Sequence, residues 1–154
     1  MSRAKNSIAT SRSENMRAIR SRGNKTTEVR IRTMFVRRAL TGWKLHPIDV
    51  FGRPDFIFLK EGLCVFVDGC FWHGCPKCGH IPKTNAGYWR KKILRNRKRD
   101  ALVRRKLRAT GFSVLRVWEC ELRRSAPACL ARILRSLSAR RRRHARRDVA
   151  EGVA

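Results

Sequence analysis

Three cysteines close together and one far away are the first chemical signal in this sequence. The run Gly69-Cys70-Phe71-Trp72-His73-Gly74-Cys75-Pro76-Lys77-Cys78 carries three thiols, and a fourth, Cys120, follows in Trp118-Glu119-Cys120. Four thiolates are the ligand set of a closed tetrahedral zinc site, and Cys-x-x-Cys flanked by Gly and Pro suits a tight metal-binding knuckle. A zinc with a full thiolate shell has no position left for water, so this one is expected to be structural, and any hydrolytic chemistry must lie elsewhere. Cys64 and Cys129 fall in apolar runs and read as ordinary buried cysteines. His80, just past Cys78, is the substitute ligand if one thiolate is not used.

A second constellation supplies oxygen. Asp55, in Gly52-Arg53-Pro54-Asp55-Phe56, opens one apolar run, and Asp68 closes the next. Carboxylates at neighbouring strand ends could share a hard cation such as Mg²⁺ that keeps waters for chemistry. Pro-Asp alone is equally a turn or a cap. His73, inside the cysteine run, has the side chain whose ordinary pKa suits proton transfer near neutrality, and it is equally compatible with a ligand or a structural role. Glu28 carries the same ambiguity between solvated helix surface and function. Among the basic residues stand Phe71-Trp72 in the knuckle and Tyr88-Trp89 before Arg90-Lys91-Lys92. Such rings either stack on or wedge between bases, or pack in a core, and Trp89 suits the core at least as well.

These residues need elements to hold them. Ser13–Arg22 fits a short helix capped by Ser13, in an arm spanning 1–22 that contacts DNA or docks. From Thr26 or Thr27 to about Leu40 a helical pattern places Val29, Val36 and Leu40 on an apolar face with Met34 and Phe35 beside it, and Gly42 lies past its end. Phe56–Leu59 and Leu63–Val67, separated by Lys60-Glu61-Gly62, read as a β-hairpin whose second strand is apolar on both faces, as in a covered sheet. Asn85–Thr110 is a long helix with Trp89, Ile93, Val103 and Leu107 on one side and Gly111 as its stop, and Phe112–Trp118 is a strand. Beyond Pro127 an amphipathic helix with Leu130, Ile133, Leu134 and Leu137 runs into Arg140–Arg143, Arg146 and Arg147, a tail expected to be disordered when free. The order predicts an α/β domain with a central mixed sheet flanked by helices, with an arm at 1–22, a core at 23–126 and a helix and tail at 127–154.

Length and charge bound the partner. The chain has 154 residues, with 38 Lys and Arg against 11 Asp and Glu, a formal charge of +27. That is one domain with a polyanion as its partner, and the arginine tail would add salt-sensitive phosphate affinity. No run is long and apolar enough to span a bilayer, and the polar start lacks a secretory apolar core, so an intracellular setting without disulfides is expected.

Taken together and in order, SENMRAIRSR, GRPDF, VFVDGCFWHGCP, PKTN followed by YW, RNRKRD and RVWEC resemble the very-short-patch repair (Vsr) DNA mismatch endonucleases, from about Ser13 to Leu122. The resemblance implies a restriction-endonuclease-like fold and an enzyme that cuts one strand on the 5′ side of the thymine in a T·G mismatch left by deamination of 5-methylcytosine. It further implies that Asp55 and the backbone carbonyl of Val67 hold the catalytic Mg²⁺, that His73 acts as base or orients water, and that Asp68 and Glu28 complete the site. Phe71 and Trp72 would wedge into the base stack with Trp89 assisting, while Cys70, Cys75, Cys78 and Cys120 hold the loop on zinc. The implied setting is a monomer in a bacterial cytoplasm, associated with the nucleoid, linked to a DNA cytosine methyltransferase and to a mismatch-repair matchmaker protein. Two positions depart from the family pattern. Asp68 stands where relatives carry His, which favours metal binding over proton transfer there, and Cys75 and Cys78 replace His ligands. Rival readings are a restriction-like nuclease with another DNA-structure preference, a non-catalytic zinc-containing nucleic-acid-binding protein, and a basic structural protein of a ribonucleoprotein.

Overall fold

The apolar run Leu63–Asp68 is buried along almost its whole length because it lies inside the sheet with helices on both faces. The computed structural model describes residues 27–150 and 152, so the expected arm at 1–22, with its short helix at 13–22, lies outside the described residues. The described elements run α1 (Glu28–Arg37), β1 (Trp43–Leu45), β2 (Phe56–Phe58), β3 (Leu63–Asp68), α2 (Ala86–Ala109), β4 (Ser113–Trp118), α3 (Glu119–Arg124) and α4 (Ala126–Ala150). The sheet order is β1-β2-β3-β4. The first three strands are antiparallel neighbours, whereas β4 pairs parallel to β3, with α2 as the crossover. This is the expected mixed sheet flanked by helices, enlarged by β1, which the sequence pattern did not reveal.

Alternation along the strands divides the core in two. Phe56, Phe58, Leu63, Val65 and Val117 face one way and pack against Ile31 and Phe35 of α1 and Leu130, Ile133 and Leu137 of α4. Ile57, Cys64 and Phe66 face the other way, against Val103 and Leu107 of α2. Phe35 is the hub of the first layer, with Trp43, Phe56 and Phe58 around it at centroid separations of 5.8, 5.1 and 5.7 Å, mostly edge-on, the arrangement ring quadrupoles favour.

Two expectations for the helices need correction. The buried face of α1 is Glu28, Ile31 and Phe35, while Val29 and Val36 are exposed at 37% and 64%. A strip at i, i+3 and i+7 wins over an equally apolar one because only it meets the aromatic layer. The arginine run does not form a loose tail over its described part: α4 continues to Ala150. Arg140 donates to the carbonyls of Glu61 (2.7 Å) and Gly111 (2.9 Å), and Arg141 pairs with the buried Glu61 carboxylate at 2.7 Å, so the helix is tied to the β2–β3 turn and to the end of α2. Arg and Ala are also good helix formers, which carries the pattern onward.

Helices α1 and α2 end in the same motif. At the end of α2, Phe112 N–H bonds Leu107 C=O and Gly111 N–H bonds Arg108 C=O, with Gly111 at φ +83°, a Schellman cap with its usual glycine. At the end of α1, Leu40 bonds back to Phe35 and Ala39 to Val36, but the left-handed residue is Ala39 at φ +48°. An alanine is strained there. Ala39→Gly is therefore expected to stabilise the fold by up to about 1 kcal/mol, read as a higher midpoint in urea with an unchanged slope; a lower midpoint contradicts the strain assignment.

Candidate active site and zinc centre

The strand registers gather the chemically active residues at one end of the sheet. Leu45 pairs with Phe56, Phe56 with Val65, and Asp68 with Trp118. The end of β1, the start of β2 and the ends of β3 and β4 therefore lie side by side. His46, Asp55, Asp68 and the loop after it, and Glu119-Cys120 all emerge there.

Because β3 and β4 are parallel and in register, Cys70 and Cys120 each follow their strand by the same short step and meet. The Sγ atoms of Cys70, Cys75, Cys78 and Cys120 all lie within 4.8 Å of one another, with Cys75 and Cys120 3.7 Å apart. A tetrahedron with zinc–sulfur bonds of about 2.3 Å has edges of about 3.75 Å, so the thiols fit a structural zinc and are too far apart for disulfides. Cys120 N–H donates to Cys70 Sγ at 3.3 Å, a contact that favours a thiolate. Burial raises the Cys75 thiol, but the amides of Lys77 and Cys78 and the neighbouring thiols outweigh it, so the net shift is downward. By contrast burial alone pushes the Cys64 thiol up to about 12, and burial also raises Cys129, leaving both as inert core thiols. His80 lies outside the cluster, its ring 6.0 Å from that of Phe71.

The knuckle is braced from three sides. Cys75 N–H bonds Cys70 C=O, and Gly79 N–H bonds Cys75 C=O. Asn96 of α2 donates to the Trp72 carbonyl at 2.7 Å. Glu121 accepts from Lys77 (2.8 Å), Arg132 (3.1 Å) and the Trp118 amide (3.2 Å), linking the knuckle to α3 and α4; burial acts upward on its carboxyl, but these donors hold it at about 2. Phe71, Trp72 and Trp89 form a half-buried cluster, with centroids 5.0 to 6.0 Å apart and the rings steeply inclined. Tyr88, exposed, stacks edge-on against Trp89.

His73 sits between two of the zinc ligands in sequence but turns away from them. Its Nδ1 is 2.6 Å from Asp100 Oδ2 and 3.7 Å from Asp68 Oδ1. Arg116 of β4 bridges the same two carboxylates, at 2.8 Å from Asp68 and 3.0 Å from Asp100. Burial raises the Asp68 carboxyl, more than His73 and Arg116 lower it, and burial likewise acts on Asp100, where direct bonds from His73 and Arg116 win and set it at about 2. Asp100 therefore stays ionised and fixes Nδ1 of His73, leaving Nε2 as the nitrogen available for proton transfer. A cavity of about 560 Å³ opens beside His73 and Asp100, rimmed by Arg97, Lys98 and Arg104, a surface suited to phosphate.

Asp55 takes different partners from Asp68. Its Oδ2 accepts the Val67 N–H at 2.7 Å, and its ligand atoms group with those of Glu28 and His46 within 4.8 Å. Asp55 and Asp68 feel each other's charge, yet the structure brings Asp55 together with Glu28, and Asp68 together with His73. Burial, ahead of the opposing Val67 bond, lifts the Asp55 carboxyl from 3.8 to about 6, and the charges of Asp68 and Glu28 add to the rise. A buried carboxylate cluster of this kind is costly alone and is relieved by a cation.

Pattern reading had passed over Asp100, Arg116 and His46. Asp100 carried a signal, being the lone acid in a helix otherwise rich in Arg and Lys and lying on the stripe of Ile93, Val103 and Leu107. His46 and Arg116 carried none, since their partners are distant in sequence.

Residues 7–78 match the family model described as DNA mismatch endonuclease Vsr. The chain is 38% identical over 136 residues to the type II nicking enzyme V.NaeI of Lentzea aerocolonigenes, covering 82% of this chain and 78% of that one. It is 36% identical over 114 residues to the DNA mismatch endonuclease Vsr of Escherichia coli K12, covering 73% and 71%. The chain belongs to the Vsr endonuclease family. A third relative, the type II nicking enzyme V.NmeAIP of Neisseria meningitidis, is 47% identical over 77 residues, 49% of this chain and 54% of its own length. Family membership makes the protein a DNA-nicking endonuclease, a phosphodiester hydrolase acting on DNA, and its relatives are bacterial. Among the described residues no helix is long and apolar enough to cross a membrane.

Two measurements test these assignments. Elemental analysis should find about one zinc per chain, lost in Cys120→Ser and retained in Cys64→Ala; retention in Cys120→Ser contradicts the thiolate site. The second concerns Asp55, whose folded pKa exceeds its unfolded one, so its ionisation destabilises the Mg²⁺-free fold as pH rises from about 4 through about 6. Asp55→Asn keeps an acceptor for Val67 N–H, and it should stabilise the zinc-loaded, Mg²⁺-free protein at pH 8 on the order of 2 kcal/mol, with little gain at pH 4. A gain independent of pH contradicts the cause given.

Proposed function

We propose that the protein is a Mg²⁺-dependent endonuclease that nicks duplex DNA on the 5′ side of the thymine in a T·G mismatch, the product of 5-methylcytosine deamination, and so initiates very-short-patch repair. The observation that carries this reading is the joining of three parts in one loop. The ring cluster of Phe71, Trp72 and Trp89, the zinc thiols and the His73–Asp100 pair meet around the stretch Cys70–Cys78, with Trp89 and Asp100 supplied by α2 and Cys120 by α3. Rings presented beside a nuclease site suit insertion into a base stack, and a mismatched step is cheaper to unstack than a paired one. Poor pairing thus becomes selectivity.

In this reading Asp55 and the Val67 carbonyl bind the cation, with Glu28 and Asp68 completing the site. Mg²⁺, when bound, supplies offsetting charge for the phosphate and lowers the pKa of water. Asp100 holds His73 through Nδ1, so that His73 Nε2 takes the proton from the attacking water or orients it. Arg116 binds both Asp68 and Asp100 and so offsets the repulsion between them. Zinc has no part in hydrolysis and keeps the wedge loop rigid, because thiolates fill its shell. Phosphates are gathered by the exposed Arg and Lys of α2 and α4, with the salt dependence that follows. The protein acts as a monomer in the bacterial cytoplasm, functionally linked to a cytosine methyltransferase and assisted by a mismatch-repair matchmaker. The names of V.NaeI and V.NmeAIP as type II nicking enzymes are in keeping with cleavage of one strand.

Labelled duplexes that differ only in one T·G or T·A pair test the proposal directly. With Mg²⁺ the wild-type protein should nick the T·G duplex on the 5′ side of the thymine at least about tenfold faster, and Asp55→Ala should lose roughly a hundredfold or more in rate, at or beyond the loss seen for an outer-shell partner. Equal cutting of both duplexes rejects mismatch specificity in favour of another DNA structure, and DNA binding with no cutting at all rejects catalysis.

A further inference from the structure

His46 stands where it can bind the same cation as Asp55, although nothing in the sequence pattern marks it. Its backbone N–H donates to the Asp55 carbonyl at 3.1 Å, fixing the residue just past β1 directly opposite the start of β2. Its φ of +44° is left-handed, a conformation in which His is over-represented among non-glycine residues. From there Nε2 reaches to 2.9 Å from Glu28 Oε2. The angles are not those of a hydrogen bond, and among the described residues this buried nitrogen has no hydrogen-bond partner. Short separation without alignment is the relation between two ligands of one ion. Octahedral bonds of about 2.1 Å place adjacent ligand atoms about 3.0 Å apart. The Asp55 carboxylate completes the set, all three ligand atoms lying within 4.8 Å of one another.

We propose that His46 is a direct nitrogen ligand of the cation held by Asp55 and Glu28. The centre then has one imidazole and two carboxylates, and it takes a transition-metal divalent cation such as Mn²⁺ in preference to Mg²⁺. Mg²⁺ is best served by oxygen ligands, whereas imidazole favours the transition metals. The inference rests on Asp55 being the cation-binding carboxylate of the proposed nuclease, and it specifies the chemistry of that site.

The test uses the zinc-loaded full chain, without DNA, titrated with Mn²⁺ and followed by electron paramagnetic resonance, with Mg²⁺ as competitor. Bound Mn²⁺ should show hyperfine coupling to an imidazole nitrogen. His46→Gln should abolish that coupling and weaken Mn²⁺ about tenfold while Mg²⁺ changes less, so the preference for Mn²⁺ shrinks. His73→Gln should leave the coupling in place. Wild-type Mn²⁺ without nitrogen coupling, or coupling that survives His46→Gln and disappears in His73→Gln, overturns the proposal. If His46→Gln fails to fold, the wild-type and His73→Gln spectra still decide. Asp55→Asn separates the two readings: if it leaves Mn²⁺ bound with its coupling, the assignment of Asp55 fails, whereas loss of binding there with no coupling in wild type condemns His46 alone.

Discussion

The parallel pairing of β3 with β4, in the register Asp68 opposite Trp118, is the constraint on which the rest depends. Antiparallel neighbours deliver their chain ends to opposite edges, but parallel ones deliver both C-terminal ends to the same edge. Only that arrangement lets Cys120 reach the thiols that follow Asp68. It also requires a crossover, and α2, long enough to run back across the sheet, brings Asp100 and Asn96 to the loop it spans. A slip of one residue would turn every side chain of β4 over, sending Arg116 from the carboxylates to the opposite layer.

That arginine shows how an extremely basic chain uses its few acids. Buried acids here meet cationic partners: Asp68 and Asp100 share Arg116, Glu121 takes Lys77 and Arg132, and Glu61 takes Arg141. Arg132 also reaches the Arg116 carbonyl, tying α4 to the strand whose arginine binds Asp68 and Asp100. Asp55 is the contrast. Among the described residues no arginine approaches its carboxylate within ion-pair distance, its direct bond is from a neutral amide, and neighbouring acids raise it further. Under the proposed function that uncompensated carboxylate is the one a cation would serve.

How much of this was legible in the sequence follows from the range of the forces involved. The β2–β3 hairpin, α2 with its Gly111 stop and β4 were legible because turn chemistry and periodicity are local. The zinc thiols were legible because three of them are neighbours, and Cys120 stood out beside a strand end. The buried face of α1 was not, since Val29 and Val36 match the helical period as well as Ile31 and Phe35 do, and only the aromatic layer around Phe35 breaks the tie. β1 is three residues long and its pairing with β2 is long-range, so it left no pattern. The helical course of the arginine run depended on Glu61, far away in sequence.

The site itself divides along the same line. Asp55, Asp68 and His73 are recognisable as chemistry-bearing types, but which of them act together is a tertiary fact, and the sequence order suggested an Asp55–Asp68 pair. In three dimensions the two take different partners. Asp55 opens toward Glu28 and His46, and Asp68 toward His73, Asp100 and Arg116. An acid at 68 therefore lies in an arginine-bound network rather than facing an open metal position, and its neighbour Val67 supplies the amide that orients Asp55. The two clusters meet on β3, where the Val67 amide orients Asp55 and the adjacent Asp68 joins His73 and Arg116, and the charge of Asp68 still acts on Asp55. In the proposed mechanism the zinc knuckle serves the proton-handling half as well as the wedge: His73 is bracketed by Cys70 and Cys75, and the stiffness of that bracket would reach hydrolysis through the orientation of a single imidazole.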